Sequence, residues 1–334
     1  MDNLKKIGLS ALAGSLASLS AAQAGEMSVS GSAELSYVAR DAGEMTGNPI
    51  GMNKNIAFKG SGELDNGWTV SVLHAMNDTM SGNSSSSVTI GMGALGSLSV
   101  DSGTGGYGLT AIDNVVPIAF EEADAGLSTG IVDAGSVVSH TNSLWWKAPE
   151  IEGAKFTLGY TPRNTSTMTA DGGTEPLAGQ RGWEASVDFS PAMVPGLRVG
   201  GGLGELENGS NGLNNGDRDE QTWFVTYAFG PLSVGYQRTD DDSDGAGSTD
   251  YESDVYGASF NVNDVFSVSY QYGETAYKSA AGTAHATAEF TGISAAYNIG
   301  PMAIKFTDNS GRNINGSTTT VDDDNKELNL SMSF

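Results

Sequence analysis

From Met27 onward, apolar and polar residues alternate. Met27, Val29, Gly31, Ala33, Leu35 and Tyr37 share one parity, and Ser28, Ser30, Ser32, Glu34 and Ser36 the other. A period of two over this length predicts a strand with one apolar and one polar face. The pattern returns to the end of the chain, as in Ile56/Phe58, Val88/Ile90/Met92, Phe156/Leu158/Tyr160, Trp183/Ala185/Val187/Phe189 and Trp223/Val225/Tyr227/Phe229. Later runs include Leu232/Val234/Tyr236, Phe266/Val268/Tyr270 and Met302/Ile304/Phe306. Between Phe290 and Ile293 the apolar parity slips by one, which predicts a β-bulge near Gly292.

The connections alternate in length. Short ones carry hairpin chemistry: Asp65-Asn66-Gly67, Leu95-Gly96, Gly230-Pro231, Asn263-Asp264 and Gly300-Pro301. Long ones are rich in Gly, Asn, Asp and Ser and span 41–52, 78–85, 162–181, 207–219, 240–250, 274–285 and 308–324. Counting segments between them gives about 16 strands, an even number as a single-chain bacterial barrel requires. Short turns at one rim and long loops at the other fit an antiparallel transmembrane barrel, and a soluble sandwich has no reason to keep that asymmetry. In lipid every backbone group must be paired, so the strands must close on themselves, and this chain starts and ends with a strand. The polar parity carries Ser, Thr, Gly, Asn and charge, which suits a water-filled lumen better than a packed core. Trp68, Trp183, Trp223, Tyr160, Tyr236, Tyr272, Tyr297 and Phe334 fall near the ends of apolar runs, where interfacial girdles belong.

Residues 1–24 are set apart from this pattern. Lys5 and Lys6, an apolar run from Ile7 to Leu19 and the closing Ala22-Gln23-Ala24 predict a cleaved secretory signal, leaving residues 25–334 for the barrel. The apolar run is too short to span a bilayer. Composition supports an exported barrel: no cysteine, hence no disulfides, only 38% hydrophobic residues, and 46 glycines. A net charge of −24 argues against nucleic acid as a partner.

The final Leu328-Asn329-Leu330-Ser331-Met332-Ser333-Phe334 is an alternating strand ending on a carboxy-terminal Phe. It resembles the terminal strand of outer-membrane proteins, the signal read by the barrel-assembly machinery, which makes Phe334 the expected assembly residue. With the leader and the strand count, the chain resembles the general bacterial porins, with a flavour of the sixteen-stranded alphaproteobacterial ones. The resemblance implies a passive channel for small hydrophilic solutes, an outer-membrane location, a homotrimer, and a third external loop folded into the barrel.

That loop is easy to place. About 40 residues separate the strand around Val100 from Ser143-Leu144-Trp145-Trp146, so the inserted segment is expected over about 102–140. It is less polar than the other loops, and its charges are all acidic: Asp113, Glu121, Glu122, Asp124 and Asp133. These acids are expected to line a constriction, the competing reading being solvation of an external loop. Lys59, Lys155, Arg198 and Lys305 fall on the inward parity, because a charge on the lipid face near mid-bilayer costs about 2 to 4 kcal/mol. Arg40 and Arg163 share that parity near the loop rim, while Arg238 falls outward and must sit at the rim. Bases opposite an acidic loop would set a transverse field across the narrowest water, and the acids favour cations.

Other signals carry less. His74, His140 and His285 have no ligand spacing, and Gly200-Gly201-Gly202 lacks the strand-to-helix setting of a phosphate loop. Asp240, Asp241, Asp242 and Asp244 are candidate oxygen ligands for a structural Ca2+, against simple solvation of an acidic loop. No cofactor and no enzymatic activity are expected. Alternatives are a sugar- or anion-specific channel, for which inward aromatics amount to little beyond Trp145 and Phe224, and a secreted surface β-protein or adhesin.

Overall fold

The computed structural model describes residues 25–40, 48–76, 78, 82–133, 135, 137–138, 141–162, 181–207, 216–245, 247–279, 282–319 and 322–334. The predicted leader over 1–24, Arg163 and His140 lie outside them. Sixteen strands follow one another. The first eight are β1 (Glu26–Arg40), β2 (Ile50–Glu63), β3 (Thr69–Met76), β4 (Asn83–Gly91), β5 (Ser97–Ser102), β6 (Thr141–Lys147), β7 (Ala154–Thr161) and β8 (Arg181–Phe189). The rest are β9 (Leu197–Glu207), β10 (Arg218–Phe229), β11 (Leu232–Ser243), β12 (Thr249–Asn263), β13 (Phe266–Ser279), β14 (Ala288–Ile299), β15 (Met302–Arg312) and β16 (Asp323–Ser333). Each pairs antiparallel with its neighbours in sequence, and β1 pairs with β16, so the sheet closes into a barrel. The expected all-β, sixteen-strand fold is the one observed, and no helix among the described residues is long and apolar enough to cross a membrane.

Alternation decides which way each side chain points. On β10, Trp223, Val225 and Tyr227 face outward and are exposed, whereas Phe224 between them is 2% exposed. The short connections are tight turns as predicted: at 64–68, Leu64 and Trp68 bond through N–H to O at 2.7 Å, with Gly67 at φ +81°. Gly230 and Gly300, each before a proline, also take positive φ. A side chain there would strain the turn.

Two expectations change. The register of β14 against β13 and β15 runs unbroken through Gly292, so there is no bulge there. Phe290 breaks the parity because it points into the lumen and is fully buried. Register shifts fall instead at Ala75/Met76, Asp101/Ser102 and Asn261/Asn263. Second, the predicted loops 240–250 and 274–285 are about half strand, since β11 reaches Ser243, β12 starts at Thr249 and β13 reaches Ser279. The wall is also uneven: β3 to β7 have 6 to 9 residues each, while β9 to β15 have 11 to 15. On the tall side the outward face above the aromatic row is ionic. Arg238 pairs there with Asp240, Glu252 and Asp254, on the outward face that its phase predicted.

The buried apolar core lies inside the barrel rather than between sheets. Val116, Ala123 and Ile131 of the segment after β5 pack against Val255, Ala288 and Phe290 of the wall and Ile314 of the β15–β16 connection. That segment is the third long connection, and it fills part of the lumen.

Candidate pore constriction

The inserted segment leaves the low side of the wall at β5 and docks on the tall side. Its backbone is satisfied by lumen-facing polar side chains, one strand after another. Gln237 of β11 accepts from Val115 N–H at 3.0 Å and donates to Ile112 O at 2.6 Å. Ser269 and Gln271 of β13 accept from Ala119 N–H (2.8 Å) and Ala123 N–H (2.5 Å). Ser294 of β14 accepts from Phe120 N–H at 3.1 Å. Asn309 of β15 donates to Glu122 O and Ala125 O at 2.8 and 2.9 Å, and Asp323 of β16 accepts from Ser128 N–H at 2.6 Å. Buried backbone groups need such partners, so the polar parity of these strands does more than wet the lumen. Lumen-facing glycines make room for the apolar part: a Cβ at Gly292 would lie 2.7 Å from Ala123 Cα, and one at Gly235 2.6 Å from Pro117 Cδ.

The five predicted acids are all half-buried on this segment. The carboxylate oxygens of Glu122, Asp124 and Asp133 lie within 4.8 Å of one another. Burial raises the Asp113 carboxyl above its ordinary range, against an opposing hydrogen bond from Asn114 N–H. Burial also raises Asp124, although its Oδ2 accepts from Ile131 N–H at 2.7 Å. Glu122 is pushed up to about 7, by burial first and then by repulsion from Asp124, Asp113 and Glu121, with Asn114 opposing. Asp133 is raised furthest in kind, by burial and then by Glu122, Asp124, Asp113 and Glu220. Glu121 stands under other influences: burial, then Glu327 and Glu34 of the wall raise it, and Lys305 lowers it.

The predicted bases are dispersed. Among the described contacts, Lys305 is the one of the five that touches the inserted segment, its Nζ 4.8 Å from the centre of the Phe120 ring. Arg198 is held by two hydrogen bonds to Asp188 (2.9 and 3.1 Å) and lies over Phe224. Lys59 and Lys155 face inward close to the short-turn rim, opposite Ser28 and Asp188 respectively. Lys155 borders a recess of about 300 Å3 beside the segment's first limb. Arg40 is exposed at the loop rim, opposite Asn325. Of the five expected wall bases, Lys305 is therefore the one that stands against the acidic segment among the described contacts. Two lumen bases escaped the sequence reading although parity marks both. Lys147 donates to Gly106 O at 3.1 Å beneath the segment, and Arg218 binds Asp241 and Glu220.

The four aspartates considered as calcium ligands do not converge. They lie at the end of β11 rather than in a loop, so alternation sends Asp240 and Asp242 outward and Asp241 inward to Arg218, with Asp244 just beyond the strand. Among the described residues, Glu122, Asp124 and Asp133 are the acids that gather.

A family model described as Gram-negative porin matches residues 8–334. Solved structures of the same fold include an anion-selective porin from Comamonas acidovorans, 19% identical over 93% of this chain and all of that one, at a TM-score of 0.62. The trimer form of the outer-membrane protein OmpT of Vibrio cholerae is 14% identical, with 93% and 100% of the chains covered and a TM-score of 0.63. A mutant porin of Rh. blastica is 12% identical, with 92% and 100% covered and a TM-score of 0.59. No curated protein sequence matches.

Proposed function

The chain belongs to the Gram-negative porin family and forms an outer-membrane channel, and from that premise we propose that it passes small hydrophilic solutes and ions by passive diffusion, with a modest preference for cations. The observation that carries the preference is the inserted segment itself: five acids and no Lys or Arg, against two wall lysines in contact with it, Lys305 at Phe120 and Lys147 at Gly106. Rings of fixed charge select by attraction at the narrowest water. Two effects keep the preference modest. Burial and neighbouring carboxylates push Glu122 up to about 7, so it is partly protonated near neutral pH, and salt screens charge over about 10 Å at 0.1 M. The Comamonas porin is described as anion-selective, but at its low identity only the fold carries over. A salt gradient across a planar bilayer tests the reading: the zero-current potential should have the cation-selective sign, and an anion-selective sign overturns the preference.

Of the inward aromatics, Trp145 and Phe224 are each 2% exposed and Phe290 is fully buried. They offer no open stacking track, which favours general diffusion over a sugar-specific channel. The family and fold are those of channels, and the absence of catalytic activity is part of the same reading.

We further propose a homotrimer assembled on the low wall. Apart from Trp68 at the turn before β3, the outward face of β2 to β5 carries no Trp or Tyr anchor, while Lys54, bonded to Asp78 at 3.3 Å, and His74 lie on that face. Lipid is a poor neighbour for such groups and another subunit a good one. Val72→Arg on this face should dissociate the trimer on native gels, and an unshifted trimer band refutes the placement. The first 24 residues then direct export, and the terminal strand engages the barrel-assembly machinery.

A further inference from the structure

Among the lumen carboxylates, Glu184 of β8 stands apart in what it holds. It is 1% exposed, and each of its oxygens takes a backbone N–H of the inserted segment: Oε1 from Leu109 at 2.9 Å, Oε2 from Val138 at 3.2 Å. Leu109 lies near the segment's entry from β5 and Val138 near its return to β6. The other wall sockets bind shorter stretches: Gln237 spans Ile112 to Val115, and Asn309 spans Glu122 to Ala125. Glu184 thus ties the two limbs to one point on the wall.

The surroundings are cleared for this contact. Gly108 has φ +53°, and a Cβ on it would overlap Glu184 Oε1 and lie 2.7 Å from Trp145 Cζ3. A Cβ on Gly182 or Gly204 would overlap Val137, on the main-chain oxygen and on Cγ2 respectively. Leu109 Cδ2 would lie 2.7 Å from a Cβ on Gly202. Glycines on β8, β9 and the segment leave the volume that the two limbs and the carboxylate occupy.

We infer that Glu184 is a positioning residue for the constriction: its carboxylate holds the two limbs at a set spacing and so fixes how far the segment reaches across the lumen. The chemistry requires both oxygens. A glutamine keeps one acceptor, and its amide nitrogen, a donor, meets the second N–H unfavourably. The inference rests on the channel reading, in which the segment sets the solute cut-off.

Uncharged sugars of increasing size, in swelling assays of liposomes holding the full-length protein, separate position from charge. Wild type should show a sharp cut-off, and failure of every sugar to enter through wild type would count against the channel reading rather than against Glu184. Glu184→Gln and Glu184→Ala should admit larger sugars and show extra conductance levels in single-channel records. In the alanine background, Val137→Cys with Gly204→Cys should restore the cut-off when oxidised and lose it on reduction. Gly108→Ala, which keeps the carboxylate but crowds it, should reproduce the glutamine phenotype and decides the matter where the Glu184 variants do not insert. A wild-type cut-off and single conductance level in inserted Glu184→Gln, Glu184→Ala or Gly108→Ala overturns the inference, as does a double-cysteine variant whose cut-off oxidation does not restore.

Discussion

The ring of Phe334 lies over Gly31, a Cβ on which would come within 2.6 Å of it, and the two backbones exchange hydrogen bonds: Gly31 N–H to Phe334 O at 2.8 Å and Phe334 N–H to Gly31 O at 3.0 Å. This pair lies on the seam where the last strand meets the first. Deleting Phe334 removes both bonds and the cover over Gly31, leaving unpaired backbone at a seam that lipid cannot satisfy. Outer-membrane yield and the heat-modifiable band should fall, while export across the inner membrane continues. Unchanged outer-membrane yield of the truncated chain argues against a role for Phe334 in closure. Gly31→Val should show the same defect in milder form, because the ring can swing away.

Replacing Glu121, Glu122 and Asp124 with their amides should move the zero-current potential toward anions. The comparison set is Asp240→Asn with Asp242→Asn, which lie on the outward face of β11. Equal shifts from the two sets, or none from the first, remove the acids from the constriction. Lys305→Gln should move the potential in the cation direction, since it removes the base that touches Phe120 and acts on Glu121.

Most of the fold was legible because lipid and water face the two sides of each strand, so hydropathy parity reports direction. It misled at Phe290, where the lumen side is itself apolar because Ala123 and Ile131 pack there. Parity also fell silent in Asp240-Asp241-Asp242, where β11 rises into polar surroundings and both faces carry charge. The inserted segment and its acids could be named from length and composition. The grouping of Glu122, Asp124 and Asp133, and the company of Glu121 with Glu34 and Glu327, could not. Glu34 and Glu327 stand near opposite ends of the chain, and barrel closure puts both strands within reach of Glu121.

The glycines of the seat should respond unequally. At Gly292 an added Cβ meets the Ala123 backbone at 2.7 Å, whereas at Gly273 it meets the mobile tip of Ile131. Gly292→Ala must therefore push the segment off the wall, a strain of about 1 to 3 kcal/mol by the usual cost of overpacking. Single-channel conductance should drop, because the displaced segment moves into open lumen. Gly273→Ala should conduct nearly as wild type. Identical conductance for the two variants would show that the segment does not rest on Gly292 as described.

Selectivity should also depend on pH, and the sign follows from the acids' surroundings. Burial and neighbouring carboxylates raise Glu122 to about 7, so around neutral pH it is partly protonated. Below that value the segment loses negative charge and the cation preference should weaken, and above it the preference should strengthen. The stability of the docked segment runs the other way. A carboxyl whose pKa is higher in the folded protein favours folding while protonated, and that contribution fades as pH rises from its ordinary value of 4.5 through 7. Raising pH should thus sharpen cation selectivity while loosening the segment, seen as more conductance noise. Zero-current potentials recorded from pH 5 to 9 at fixed salt separate the two effects. Glu122→Gln should flatten the curve near pH 7. A wild-type curve already flat across that range would mean that Glu122 does not face the permeating ions.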